Sequence, residues 1–287
     1  MKSKPVRSHT IDGVTLQLAH AVDLPIEWVG RPELRLQLQA AWLVLEDEDV
    51  PLTPRLVGKP GVGKTTLAYA VAKSLGREVY LMQATMDTRP EDLIVTPVIG
   101  DDNKLRYVAS PVVTAMIRGG VCVLDEGNRM SEKSWASLAP LLDQRRYVES
   151  LVAGIRVMTD PGFRMVCTMN DDASTFDLPE YIHSRLQPQI LIDFPEAEEE
   201  KLILRRILPF APEAILDYVV AFLQRAHGAD ERYTVRDGIN VARYALKIQG
   251  IAKQGERRVP EMEQAVQDSI EMILGAEALR YLIRAES

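Results

Sequence analysis

The sequence predicts an α/β domain with a mostly parallel sheet, followed by a smaller all-helical domain. Three observations predict it. Between residues 55 and 192, short apolar runs alternate with amphipathic helices, the rhythm of strand–helix–strand units. A Gly-rich segment, Gly58–Thr65, separates the first apolar run from the first of these helices. From residue 196 to residue 287 the periodicity is helical and no run reads as a strand.

Taken in order, residues 1–25 are punctuated by Pro5, Gly13 and Pro25 and read as an extended lead-in with room for a short strand. Residues 31–45 have helical spacing, with Leu34, Leu38, Trp42 and Leu45 on one face, and Pro51 and Pro54 break the chain after them. Strands are expected at Arg55–Val57, Glu78–Met82, Val121–Leu124, Met165–Met169 and Gln189–Ile192. Helices are expected at Lys64–Leu75, Pro111–Arg118, Ser131–Leu142 and Pro179–Ser184. Arg55 weakens the first strand, because an apolar residue belongs there. Two stretches interrupt the alternation. Residues 97–108, centred on Gly100-Asp101-Asp102-Asn103, read as a hairpin inserted before a helix, and residues 147–157, turning near Gly154, as a second hairpin. Composition shifts after Pro195, and Gly228, Gly250 and Gly255 mark breaks in the helical region. No repeat or low-complexity segment is evident.

The length of 287 residues suits one large domain with a smaller appendage. With 46% hydrophobic and 26% charged residues, the composition is that of a folded soluble protein. A net charge of −7 disfavours nucleic acid as the main partner, since phosphate neutralisation supplies most non-specific affinity. The basic stretch Met1–Thr10 has no apolar core behind it and is no secretory signal. No apolar run approaches the ~20 residues that cross a bilayer. Cys122 and Cys167 both fall in apolar runs and read as small core residues rather than ligands or a disulfide. A cytoplasmic protein without membrane contact is expected.

Gly58-Lys59-Pro60-Gly61-Val62-Gly63-Lys64-Thr65 fits the phosphate-binding loop pattern G-x-x-x-x-G-K-[ST], followed by Thr66. The glycines let consecutive backbone N–H groups curl around an anion with no Cβ in the way. Lys64 brings a positive charge to the outer phosphates, the Thr65 hydroxyl suits Mg²⁺, and the following helix offers its positive end to the same anion. A chance match in a chain of this length is on the order of 1%.

Val121-Cys122-Val123-Leu124-Asp125-Glu126 is an apolar strand ending in two acids. Acids at strand ends are common solvated punctuation, but beside a phosphate loop they suit chemistry. Asp125 can hold Mg²⁺ through water, while Glu126 orients and polarises an attacking water.

With Gly58–Thr65, Asp125-Glu126-Gly127-Asn128-Arg129 and Val166-Cys167-Thr168-Met169-Asn170, the sequence resembles the AAA+ ATPases of the MoxR and dynein-related type, a group that includes the CbbQ, NorQ and GvpN activators. The resemblance covers roughly residues 28–250. It implies a P-loop NTPase with an AAA+ core at residues 28–194, a helical lid at 195–287 and an N-terminal extension at 1–27. It also matches the hairpins at 97–108 and 147–157 to the helix-2 insert and the pre-sensor hairpin, and Trp28-Val29-Gly30-Arg31 to the lining of the adenine pocket.

The resemblance implies further roles. Asn170 stands where the first sensor contacts the attacking water or the γ-phosphate, as an amide can. Arg185 matches the arginine finger that a neighbouring subunit supplies, although Leu186 stands where relatives often carry an aromatic residue. Arg236, in a helix with Val235, Ile239, Ala242 and Leu246 on one face and a Thr234/Asp237 cap, matches the second sensor. Arg129, Arg145 and Arg146 fit either a neighbour's nucleotide or solvated charge, and His183 and His227 have no metal-ligand spacing.

The reading is thus a Mg²⁺-dependent ATPase working as a homo-oligomeric ring, a hexamer by resemblance, that remodels a protein client, with a von Willebrand A-type partner in some relatives. One rival is a nucleic-acid motor or nucleotide-gated restriction subunit on the same core, for which Lys104 and Arg106 are the local hint. The other is a nucleotide-bound scaffold with little turnover, against which the full set Lys64, Asp125, Glu126, Asn170 and Arg185 argues.

Overall fold

A computed structural model of the chain describes residues 7–100, 102–171, 177–254 and 260–282. Pro5, Asp101, Gly255 and most of the basic Met1–Thr10 stretch lie outside the described residues. The chain divides into two compact units, one running to Gly58 and again over Gly63–Ile192, the other combining Lys59–Val62 with the residues from Asp193 onward.

The first unit is α/β. Its elements are β1 (Ser8–Ile11), β2 (Val14–Gln17), α1 (Pro32–Trp42), β3 (Arg55–Gly58), α2 (Lys64–Ser74), β4 (Val79–Gln83), α3 (Pro90–Leu93), β5 (Val95–Ile99), β6 (Leu105–Ala109) and α4 (Pro111–Arg118). There follow β7 (Val121–Asp125), α5 (Glu132–Leu138), β8 (Tyr147–Ser150), β9 (Ile155–Met158), β10 (Arg164–Asn170), α6 (Glu180–His183) and β11 (Gln189–Leu191).

Five strands form one parallel sheet in the order β11-β3-β10-β7-β4. All seven residues of β10 and the first four of β7 are buried, as expected of strands covered on both faces. Because the strands are parallel, Gly58, Asp125 and Asn170 all stand at the same, C-terminal edge of the sheet. That edge is where open α/β sheets bind ligands. Cys122 and Cys167 are free and buried, as the sequence suggested.

The two hairpins form as expected, β5 pairing with β6 and β8 with β9, both antiparallel. The lead-in differs from expectation. It forms two strands rather than room for one, and β2 runs parallel to β6, so the insert belongs to a four-stranded sheet β1-β2-β6-β5. The alternation of this short segment carries no signal of that partner, because the pairing joins residues ~90 positions apart.

Three boundaries also differ. The first helix ends at Trp42, and Leu45 is 77% exposed rather than on the buried face, since the chain turns toward Pro51. The helix expected to reach Leu142 stops at Leu138 and continues as hydrogen-bonded turns. Leu75 is exposed as the residue that ends α2.

The second unit is helical: α7 (Ala197–Ile207), α8 (Glu213–Gly228), α9 (Val235–Gln254) and α10 (Met262–Leu274), then a short 3₁₀ turn. Leu204, Leu216, Phe222, Leu223, Val241, Ala245, Val266 and Ile270 make its core. Gly228 ends α8 as expected, but Gly250 lies inside α9 rather than at a break. A glycine costs a helix interior only about 1 kcal/mol, less than the packing that holds α9 against α10 and α8. Among the described residues, no helix is long and apolar enough to cross a membrane.

Candidate functional site

The phosphate loop begins where β3 ends. Gly61 and Gly63 have φ of 81° and 94°, backbone that only glycine adopts without strain, so the pattern's glycines are explained by the turn itself. Gly63 is the N-cap of α2, and Lys64 and Thr65 occupy its first turn. Lys64 is buried and its Nζ donates to the Gly58 carbonyl at 2.8 Å, which folds its charge back over the loop. Trp28 lies against the same cap: a Cβ on Gly63 would come within 3.1 Å of its ring. The indole N–H is buried without a hydrogen-bond partner among the described residues, a donor that suits an acceptor on a bound base. Beyond Trp28 and the half-buried Val29, Gly30 and Arg31 are both left-handed, with φ of 75° and 43°.

The acids complete this part of the site. Thr65 Oγ1 donates to Asp125 Oδ1 at 2.7 Å, and the Thr168 hydroxyl donates to the same oxygen. Thr168 Oγ1 also accepts the Glu126 backbone N–H at 3.0 Å. One hydroxyl on β10 therefore fixes both members of the acid pair. Hydroxyl and carboxylate oxygens at one point fit Mg²⁺, which takes one or two carboxylates and completes its shell with phosphate and water. Among the described residues, no group of three or more His, Cys, Asp or Glu could hold a metal by itself.

Glu126 has φ 55° and ψ 40°, left-handed for a residue with a Cβ. Such strain costs on the order of 1–3 kcal/mol and gathers at functional positions. It turns the carboxylate toward β10, where Asn170 Nδ2 donates to Oε1 at 3.2 Å. Arg129 Nε lies 2.7 Å from the other oxygen, off line for a hydrogen bond, so that contact is an ion pair. Asn128 is buried, donates to the Asn170 carbonyl at 2.8 Å and accepts its N–H at 3.4 Å. Gly127 has no room for a side chain, since a Cβ would run into Cys167 and Trp135.

In the second unit, Pro60 is exposed and Val62 buried. Lys59 pairs with Asp230 at 2.8 Å and sits 5.1 Å over the Phe194 ring, which stacks on His227. A Cβ on Gly61 would meet Thr234 at 2.7 Å. Thr234 and Asp237 form the expected reciprocal cap, Thr234 N–H donating to Asp237 at 2.8 Å and Asp237 N–H to Thr234 Oγ1 at 3.3 Å. Arg236 is exposed on the first turn of α9.

Arg185 stands apart from this set. Its Nη1 donates to the Tyr181 carbonyl at 2.5 Å and its Nε to Asp143 Oδ2 at 3.4 Å. The Arg145 guanidinium, with Arg185 beside it, holds the Asp143 carboxyl down at about 2. Arg146 is structural: it donates to the Phe163 carbonyl at 3.3 Å, lies over that ring, and burial lowers its pKa.

Three residues with a part in this geometry carried no separate role in the sequence: Thr168, Asn128 and Asp143. Thr168 had a readable signal. It is a hydroxyl in an apolar strand, two residues before Asn170 and so on the same face of β10.

The five-stranded parallel sheet with Gly58–Thr65, Asp125 and Glu126 at its C-terminal edge defines a P-loop NTPase. Residues 55–186 match the AAA domain of the dynein-related subfamily. The chain is 32% identical over 151 residues to protein MoxR of Paracoccus denitrificans, covering 52% of this chain and 43% of that protein. It is 27% identical over 233 residues to the uncharacterized protein YeaC of Bacillus subtilis, covering 78% and 68%. The chain thus spans less than half the length of the MoxR protein it matches. RuvB of Thermotoga maritima, a Holliday junction branch migration motor, superposes with a TM-score of 0.56 over 85% of this chain and 70% of that one. At 18% identity that likeness shows the fold alone. Residues 55–186 thus carry an AAA domain of the dynein-related subfamily, and over part of its length the chain is similar to protein MoxR.

Proposed function

We propose that the chain hydrolyses ATP with Mg²⁺ as a cytoplasmic homo-oligomeric ring, hexameric as the family resemblance implies, and uses the cycle to remodel or activate a protein client. The observation that carries the hydrolytic part is the strained Glu126, tied through Thr168 to Asp125 and through its carboxylate to Asn170.

In this reading Gly58–Thr66 cradle the phosphates, Lys64 lies against the outer ones, and Trp28, Val29 and Gly30 border the base. Thr65 and Asp125 would hold the metal, which when bound neutralises charge on the β- and γ-phosphates. Glu126 and Asn170 orient the attacking water. Its oxygen bonds to the γ-phosphorus as the bridging P–O bond to ADP breaks, and Glu126 takes the proton. Arg236 contributes from α9 as the second sensor.

Arg185 acts in trans. Its hydrogen bonds go to Tyr181 and Asp143, none to Lys64, Thr65 or the acid pair of its own chain. An arginine given to a neighbour in this way contributes ~10³–10⁵ in rate. Mixing the two inactive variants Lys64→Ala and Arg185→Ala tests it. Exchanged assemblies contain interfaces with an intact Lys64 and an intact Arg185, so activity should reappear and peak near equal proportions. If subunits exchange, wild type tolerates both variants and the mixture stays inactive, Arg185 does not act in trans.

The client is read as protein. The insert hairpin exposes Val98, Ile99 and Leu105, with Ile99 75% exposed, and the tip of the second hairpin exposes Leu151 and Val152. Tyr107 Oη, in the middle of β6, donates to the Val152 carbonyl at 3.5 Å and ties the insert to the tip of the second hairpin. Arg106, half of the hint of nucleic acid, is paired with Asp102 at 3.1 Å. A von Willebrand A-type protein is the partner expected from the resemblance.

A further inference from the structure

Arg55 is the anomaly of the sheet. It sits in β3 between β11 and β10, in register with Gln189 and Cys167, and is only 5% exposed. If the position served packing alone, an apolar residue would fill it without the cost of burying a charge. Among the described residues, no carboxylate is a hydrogen-bond partner of Arg55; instead, the guanidinium is spent on one segment. Nε and Nη2 donate to Gln189 Oε1 at 3.0 and 2.6 Å. Nη1 donates to the carbonyls of His183 and Leu186 at 3.1 and 3.0 Å, and Nη2 meets His183 Nε2 at 3.0 Å. Five contacts occupy the five N–H groups of the fork, and the His183 ring nitrogen must accept, since arginine only donates.

These partners bracket Arg185. His183 ends α6, where helix carbonyls lack intrahelical donors, and Leu186, in the turn beyond it, follows Arg185 directly. Arg55 N–H also donates to the Pro188 carbonyl at 3.0 Å, so backbone and side chain of one strand residue fix the segment from His183 to Gln189. The outer face of that segment carries the Arg185 head, steadied by Tyr181 and Asp143.

We propose that Arg55 is the positioning residue for Arg185, so that this buried arginine sets the activity a subunit confers on its neighbour rather than the activity of its own nucleotide site. The proposal rests on the reading of Arg185 as acting in trans. A finger displaced by about 1 Å loses on the order of 10² in rate. A merely structural arginine in the strand that leads into Gly58 would damage the subunit's own site instead.

The test is a mixing matrix with full-length chains. Arg55→Lys alone should lose roughly 10- to 100-fold in kcat, with nucleotide Kd within about twofold of wild type. Mixed with Lys64→Ala, which supplies a sound finger, it should regain activity as Arg185→Ala does. Mixed with Arg185→Ala, it should gain nothing, because neither partner offers a positioned finger. Rescue by Arg185→Ala, rescue by neither, or full activity of Arg55→Lys alone overturns the proposal. The Lys64→Ala and Arg185→Ala mixture is the reference: if it stays inactive while subunits exchange, the trans reading falls and this proposal with it. Should Arg55→Lys fail to fold, Gln189→Ala, which removes two of the five contacts, goes through the same matrix with the same outcomes deciding.

Discussion

Asn170 Nδ2 donates to Glu126 Oε1 at 3.2 Å, joining an amide and a carboxylate 44 residues apart in sequence. Parallel pairing of β10 with β7 sets Cys167 opposite Leu124, so the two strands run out together and deliver both side chains to one edge. Asn128 then locks the end of β10 to the turn that carries Glu126. The geometry of Glu126, the proposed water-activating acid, is therefore held from β10, not from its own strand alone.

Thr168→Val should separate metal binding from folding. It keeps the shape of the side chain but leaves Asp125 without one of its hydroxyl partners and Glu126 N–H without its acceptor. Loss of such a supporting contact costs roughly 10- to 100-fold in metal affinity or activity. A Mg²⁺ titration of ATPase activity should show the midpoint moved upward; an unchanged midpoint removes Thr168 from the metal site.

The alternation of apolar runs was enough to place all five strands of the parallel sheet within about a residue, because strands covered on both faces must be apolar. The phosphate loop and acid pair were legible for a related reason: each needs fixed residue types at fixed spacing. Arg55 was legible only as a misfit. Its purpose depends on Gln189 and His183, more than 120 residues away, and nothing local encodes that meeting. The pairing of β2 with β6 was hidden in the same way, as was the tether of Arg185 to Asp143.

Removing the insert's turn, Gly100–Lys104, should leave basal ATPase within about twofold, since the hairpin belongs to the other sheet and contributes no residue to the phosphate loop or acid pair. Proteins that copurify with the ATP-bound Glu126→Gln protein from native cells should be lost from the deletion variant. Equal loss of hydrolysis would make the segment structural.

Glu200 supplies a pH dependence in the helical unit. It is fully buried, bonded to Gln224 Nε2 at 2.9 Å, with its other oxygen unpartnered among the described residues, and burial pushes its carboxyl up to about 7. Between pH ~4.5 and ~7 the unfolded chain has released this proton and the folded chain still holds it. Stability therefore falls as pH rises through that window and stays lower above it. Glu200→Gln should flatten the dependence and raise stability at pH 8 by at most about 3 kcal/mol. Thermal melts at pH 5 and pH 8 measure it; a variant less stable at pH 8 would show that the ionised carboxylate has a partner.

The most direct test of the central claim is Glu126→Gln, assayed for nucleotide binding and turnover on the same preparation. The amide keeps the side chain's shape and can still accept from Asn170, but it cannot take a proton. ATP affinity should stay within about threefold of wild type, while kcat falls about 10²-fold or more, the share a positioned base contributes. Near-normal turnover with intact binding would contradict the assignment of Glu126 and, with it, the reading of the Asp125–Glu126–Thr168–Asn170 cluster as the hydrolytic centre.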